Sequence, residues 1–179
     1  MTIEVVPYDA EWARTYARIR DELVAALAGV PLIGVEHVGS TAVPGLAAKP
    51  VIDVDVIVLR PHVGSAIRAL RAGGYTLRGN LGIPDRYAMA EPDPPRRNVY
   101  VVVDGSLALR NHLAVRDVLR ADAALRERYG RLKERLAAEL DDVDRYVEGK
   151  SELLSEILSS AGFTGAELDA IRSANRSPR

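Results

Sequence analysis

Cysteine is missing from the 179 residues, which excludes disulfides, zinc–thiolate sites and thiol nucleophiles. No run of eighteen apolar residues occurs, so no membrane-crossing helix is expected. The first residues, MTIEVVPYD, have neither the basic start nor the apolar stretch of a secretory leader. Together these absences lead to the expectation of a cytoplasmic protein. Neither sign of charge dominates, with 24 Lys and Arg against 25 Asp and Glu. Duplex nucleic acid, where phosphate contacts dominate binding, is therefore not indicated as a partner. There is no internal repeat, and the length suits one domain that buries about two-thirds of its unfolded surface.

What is present is concentrated between Val35 and Val58. Val35 to Val38 suits a strand, and Gly39-Ser40 breaks it. A loop follows with Pro44-Gly45 at its centre. Val51 to Val58 then reads as a second strand, strongly β-branched, that carries Asp53 and Asp55. Side chains alternate across a strand, so two acids at i and i+2 share a face, about 7 Å apart. They repel each other, and burial without a partner costs several kcal/mol or forces protonation. Solvated acids on an edge strand would avoid the problem, but the flanking Val51, Ile52, Val54, Val56, Ile57 and Val58 argue for a buried strand. A hard divalent cation, held by the carboxylates and by substrate phosphates, is the simplest remedy. The turn at Gly39, Ser40 and Thr41 offers the other half of such a site. Glycine admits close approach, and hydroxyl and N–H groups donate to phosphate oxygens. Lys49 could reach a triphosphate from the loop, or be a solvated surface lysine. His37 is a candidate phosphate contact, or a hydrogen-bonded residue of the core or rim.

Along the chain, Asp9 is expected to cap a helix from about Ala10 to Leu27, with Trp12, Tyr16, Ile19, Leu23 and Leu27 inward. Trp12 and Tyr16 read as packing rather than base-stacking residues. Ile3 to Val6 and Leu32 to Val38 are expected strands. Val63 to Ala72 is a helix ended by Gly73-Gly74. Short strands follow at Tyr75–Leu77 and Tyr87–Ala90, then a rigid link from Glu91 to Pro95 and a basic spot at Arg96-Arg97. Asn98 to Val103 is the third strong strand, with Asn98, Tyr100, Val102 and Asp104 on one face. From Leu107 the pattern is helical. Leu125, Tyr129, Leu132, Leu136 and Leu140 form an amphipathic stripe, Asp141-Asp142 interrupts, and Val147 to Leu158 is the last expected helix. The tail, residues 163–179, is expected to be disordered.

Gly39-Ser40, followed after twelve residues by Asp53-Val54-Asp55-Val56, resembles the signature of the nucleotidyltransferase superfamily that includes DNA polymerase β. The fuller string GVEHVGSTAVPGLAAKPVIDVDV resembles the GrpB, or UPF0157, family more closely. Pro7-Tyr8-Asp9-x-x-Trp12 matches that family's opening, and Leu113-x-x-Arg116-Asp117-x-Leu119-Arg120, Tyr129, Leu132-Lys133, Tyr146 and Lys150 match its second half. The resemblance implies an α/β (α+β) fold, a small mixed sheet flanked by helices. It implies a sheet core over about 30–105 and a helical lobe over about 107–162, in one unit spanning 1–162. It implies Asp53 and Asp55 as Mg2+ or Mn2+ ligands and catalytic acids, with Gly39, Ser40, Thr41, Lys49, His37, Arg116, Lys133 and Lys150 around a nucleoside triphosphate. Nucleotidyl transfer normally adds a third acid from a neighbouring strand. The family pattern places histidines where this chain has Asn98 and Tyr100, neither a good base nor a strong metal ligand. Asp104, of the right parity, is the third-acid candidate. The implied activity is Mg2+-dependent transfer of a nucleoside monophosphate to a small-molecule or protein acceptor. The alternatives are a nucleotide- or phosphate-binding module without transfer, and a small-molecule enzyme reusing the pocket.

Overall fold

The structure, a computed structural model, describes residues 3–91 and 94–176. Asp9 starts helix α1 (Glu11–Ala26): its side chain accepts from the Glu11 N–H at 2.9 Å and its carbonyl from Trp12 at 3.1 Å. Trp12, Ile19 and Leu23 recur at helical spacing and are buried. Five strands then form one mixed sheet: β1 (Gly34–Val38), β2 (Ile52–Val58), β3 (Thr76–Gly79), β4 (Arg86–Ala90) and β5 (Arg97–Val103), in the order β1-β2-β5-β4-β3. β2 and β5 run parallel at the centre, joined through α2 (Val63–Ala72) and the β3–β4 hairpin; the other pairings are antiparallel. The segment Ile3 to Val6 makes only a bridge, Val6 to Ala48, rather than the expected strand.

The two faces of the sheet have separate cores. Ile52, Val54, Val56 and Val58 of β2, with Val99 and Val101 of β5, pack against α1 and α2. The opposite face, carrying Ile57, Tyr100 and Val102, packs against α3 (Leu107–Ala121) through Ala108, Leu109 and Leu113. A further cluster joins Val43 and Leu46 of the loop to Leu119, Tyr129, Leu153 and Ile157. These come from α3, α4 (Ala123–Glu139) and α6 (Ser151–Ser160).

The helical lobe is cut into more pieces than the apolar periodicity suggests. Asp122 ends α3 and caps α4, accepting from Leu125 at 2.9 Å. Asp142 caps α5 (Val143–Gly149). The expected helix from Val147 to Leu158 breaks at Lys150, between α5 and α6. The expected disordered tail is corrected over Gly165–Arg176, which forms α7. Thr164 and Glu167 cap each other reciprocally there: the Glu167 carboxylate accepts from the Thr164 N–H at 2.8 Å and the Thr164 hydroxyl from the Glu167 N–H at 3.3 Å. Arg110 of α3 pairs with Glu167 at 2.6 Å, anchoring the start of α7. Residues 177–179 of the expected tail, and Pro92 and Asp93 of the Glu91–Pro95 link, lie outside the described residues.

Candidate functional site

The two acids of β2 do share a face, the one covered by α3, but their environments differ. Asp53 sits near the start of the strand, opposite Val38 of β1 and Asn98 of β5. Asn98 donates its side-chain amide to Asp53 Oδ1 at 2.7 Å. Asp53 is half-buried and lines a cleft of about 270 Å³. Burial pushes its carboxyl above the usual carboxylate range and nearby Asp55 adds to this, while the Asn98 amide and His112 oppose it. Asp55 lies two residues deeper with no exposed surface. Its Oδ2 meets Nδ1 of His112 at 2.8 Å, while Oδ1 has no hydrogen-bond partner among the described residues. Burial pulls the His112 pKa down, but the charge and hydrogen bond of Asp55 outweigh it, and the net shift is upward.

Gly39 meets a requirement of the fold itself. Its backbone has φ 71° and ψ −172°, a region essentially reserved for glycine. A Cβ there would lie 2.2 Å from Asp53 Oδ2. The glycine therefore makes room for the carboxylate of the next strand.

Around Asp53 the cleft gathers Ser40 and Thr41 from the turn, Lys49 and Val51 from the loop, and Arg96 and Asn98 at β5. Lys133 from α4 and Tyr146, Val147 and Lys150 from the lobe complete it. Four cationic side chains thus surround one carboxylate. Lys133 is 2% exposed and donates its ammonium to the Ala47 carbonyl. Burial, with help from the charge of Lys150, lowers its pKa to about 7. Lys150 and Lys49 flank the ring of Tyr146, at 4.4 and 5.7 Å from its centroid. Burial raises the Tyr146 phenol to about 12. The site thus brings together Asp53, Ser40, Thr41, Lys49, Lys133 and Lys150, six of the residues singled out from the sequence.

Three others stand elsewhere. His37 projects from β1 toward α1, on the opposite face from Asp53: its ring stacks on Tyr16 at 4.5 Å, and Nε2 lies 3.0 Å from the Thr41 hydroxyl. Burial, with the charges of Arg120 and Arg116, lowers its pKa to about 4. Arg116 does not line the cleft; it pairs with Glu36 at 2.7 Å and with Asp117, and donates to the His37 carbonyl at 3.0 Å. Asp104 follows the end of β5, where Val103 pairs with Val58. It has the parity of Asn98 and Tyr100 but stands four residues beyond Tyr100, about 13 Å along the strand. The third-acid role is therefore not filled by Asp104, which is exposed at the other end of the sheet.

His112 is the functional group that the sequence reading passed over. It lies on α3 one turn before Arg116, which is itself one turn before Arg120. Arg120 donates twice to the Ala42 carbonyl, at 2.9 and 2.7 Å. The three side chains, at i, i+4 and i+8, form one stripe down the helix. They grip β2, β1 and the 40–42 turn in succession. Glu36 and Asp55, the partners of Arg116 and His112, are themselves opposite each other across β1 and β2. The spacing was visible in the string RNHLAVRDVLR, but its targets appear only when the strands pair.

The side chains that could hold a divalent cation are Asp53 and Asp55. Asp53 opens on a cationic cleft, and Asp55 keeps one buried oxygen uncompensated. Yet no group of three His, Cys, Asp or Glu side chains converges among the described residues. Two carboxylates without a third suit a cation that arrives with phosphates rather than one caged by protein.

A profile described as GrpB protein matches residues 2–160. A UPF0157 protein of Streptomyces coelicolor is 39% identical over 166 residues, covering 90% of this chain and 86% of its own length. The UPF0157 protein YqkA of Bacillus subtilis is 33% identical over 153 residues, and the match spans 84% of this chain but only 44% of YqkA. A crystal structure of the conserved protein GrpB from Enterococcus faecalis superposes with a TM-score of 0.76 at 31% identity, covering 89% of this chain and all of that one. Cid1 in complex with its short product ApU shares the fold more distantly, with a TM-score of 0.52 at 16% identity, over 72% of this chain and 42% of Cid1. With the profile spanning most of the sequence and the whole Enterococcus chain superposing on its sheet and helices, this chain belongs to the GrpB family.

Proposed function

We propose that the cleft binds the phosphate chain of a nucleoside triphosphate together with Mg2+ or Mn2+, and that the protein transfers the nucleoside monophosphate to a small-molecule or protein acceptor. The observation that carries this reading is the half-buried carboxylate of Asp53, facing a cleft otherwise lined by Lys49, Arg96, Lys133 and Lys150. Such a ring of cations attracts a polyanion. A lone carboxylate within it would repel that polyanion unless a cation lies between them. Asp53 and Asp55 would hold that cation, which neutralises charge as the α-phosphate is attacked and pyrophosphate leaves. Ser40 would donate to phosphate oxygens, while Thr41, whose hydroxyl donates to the Val51 carbonyl at 3.2 Å, would steady the turn, and the lysines would stabilise charge on the departing pyrophosphate. The cleft is smaller than the usual small-molecule pocket of about 300–1,000 Å³. It suits a phosphate tail, leaving the base outside. A relative named dephospho-CoA kinase, from Mycolicibacterium paratuberculosis, is 32% identical over 177 residues but is matched over only 43% of its length. Its name, which belongs to the whole protein, is compatible with a phosphate-bearing ligand here.

The residues facing Asp53 favour a second reading, binding without transfer. Asn98, at a position where the family pattern has a histidine, offers no proton-accepting group and donates to Asp53. One experiment separates the readings. Mg-ATP is titrated calorimetrically into the protein and into Asp53→Asn, and pyrophosphate is assayed with labelled triphosphates. The variant should lose about a hundredfold or more in affinity, since even outer-shell changes typically cost ~10–100-fold. Binding unchanged in the variant would refute the site, and binding without pyrophosphate release would leave the second reading.

A further inference from the structure

Arg116 and Arg120 already fix α3 against β1 and the 40–42 turn, through a carboxylate and two backbone carbonyls. A third contact one turn earlier is not needed to dock the helix. His112 nevertheless reaches down to Asp55, and does so through Oδ2 alone. The other carboxylate oxygen stays buried and unpaired. Among the described residues it is the one carboxylate oxygen so placed, the other buried side-chain atoms without a hydrogen bond being the Tyr75 hydroxyl and Nε of Arg86 and Arg97. A bare buried anionic oxygen costs free energy and asks for an explanation. A helix pin would have been better built by a group that meets both oxygens, as the guanidinium of Arg60 meets Asp85 at 2.6 and 2.7 Å. A ring nitrogen that engages one oxygen leaves its twin without a partner, and carboxylates that bind metals are in turn held by hydrogen bonds from outside the metal's own shell.

We propose that His112 is a positioning residue for the divalent cation: it holds Asp55 in the orientation that keeps Oδ1 available to an ion shared with Asp53. This inference rests on the reading of the cleft given above. It makes the cation-binding unit a product of two elements. The acids belong to β2, while the group that orders the deeper one belongs to α3. Occupancy of the cleft is thereby tied to how closely that helix packs on the sheet.

The test compares two polar replacements that differ in where they place a donor. In His112→Asn the side-chain amide occupies the position of Nδ1. In His112→Gln it lies near that of Nε2, beyond reach of Asp55 Oδ2. The probe is Mn2+ with inorganic tripolyphosphate, and the readout is the enhancement of water-proton relaxation by protein-bound Mn2+. His112→Asn should bind within about threefold of wild type, and His112→Gln should bind about 10–100-fold more weakly. His112→Asn should melt within about 4 °C of the parent by circular dichroism. His112→Gln, which leaves the buried Asp55 carboxylate without its partner, should melt lower, and its affinity is read below its own transition. Wild-type affinity in His112→Gln, or an equal loss in both variants, overturns the role of His112 while the cleft reading stands. Absence of enhancement in the parent protein, or enhancement unchanged in Asp53→Asn, overturns the cleft reading itself.

Discussion

The two faces of the central sheet are made from alternate residues of the same strands, yet they answer to different requirements. On the face under α1 and α2, Val54, Val56 and Val58 are fully buried beside Val99 and Val101. On the face under α3, the neighbours of those valines are Asp53 and Asp55, met by Asn98 and His112. The first face gains free energy by excluding water. The second gives part of that up to keep two carboxylates and a ring of cations in place. Stability thus resides largely on one side of a layer one residue thick, and the candidate chemistry on the other, so substitutions one residue apart should have unlike consequences.

Gly39→Ala should have the largest effect, because it injures both sides of this division. The strained backbone alone costs roughly 1–3 kcal/mol, and the new methyl must displace the Asp53 carboxylate. Denaturant melts should show the loss, and titration with Mg-ATP should show binding lost as well. Retained binding would mean that Asp53 does not need its present position. Val56→Ala should be next, costing about 2 kcal/mol by removing buried methyl groups. Affinity for Mg-ATP should stay unchanged below the melting transition, and a parallel fall in affinity would show that the faces are not independent. Lys133→Met should show as a change of slope with pH, the smallest of the three effects within any one pH unit. The folded lysine loses its proton near pH 7 and the unfolded one near its ordinary 10.5. Between those values the unfolded chain binds more protons, so wild-type stability should rise with pH, by at most about 1.4 kcal/mol per unit. In Lys133→Met that slope should be flatter from pH 7 to 10.5. An identical slope would mean that the ammonium is not held away from water.

Fold and site were legible in the sequence to different depths. The strong strands, α1 and α2 were readable because each is local: the period of apolar residues decides it, helped at α1 by the Asp9 side chain. Asp53 and Asp55 were readable as a pair because alternation fixes their common face. The same alternation misled at Asp104, where parity was right but the row was wrong. It left His37 open, since only the side on which α1 lies decides that its ring meets Tyr16 rather than the cleft. Arg116 was assigned to the ligand, but Glu36 on the adjacent strand claims it. The helix α7 had its signal in plain view, a threonine and a glutamate three residues apart at Thr164 and Glu167. Its mixed polarity outweighed that signal, because the apolar contacts that steady it come from elements distant in the chain.

By itself the sequence determined which segments become strands and helices, which residues of β2 share a face, and that a carboxylate pair stands beside a glycine turn. These depend on backbone sterics and on periods of two and 3.6 residues, which act over a few neighbours. Only the tertiary structure decided that Asp53 opens on the cleft while Asp55 is closed over by His112. It also decided that Lys133 and Lys150 come from the helical lobe to face the first acid. Those outcomes depend on the register of β1, β2 and β5 and on the docking of α3, α4 and α5. Such docking is set by the summed burial of many side chains far apart in the chain, a quantity no short stretch of residues contains.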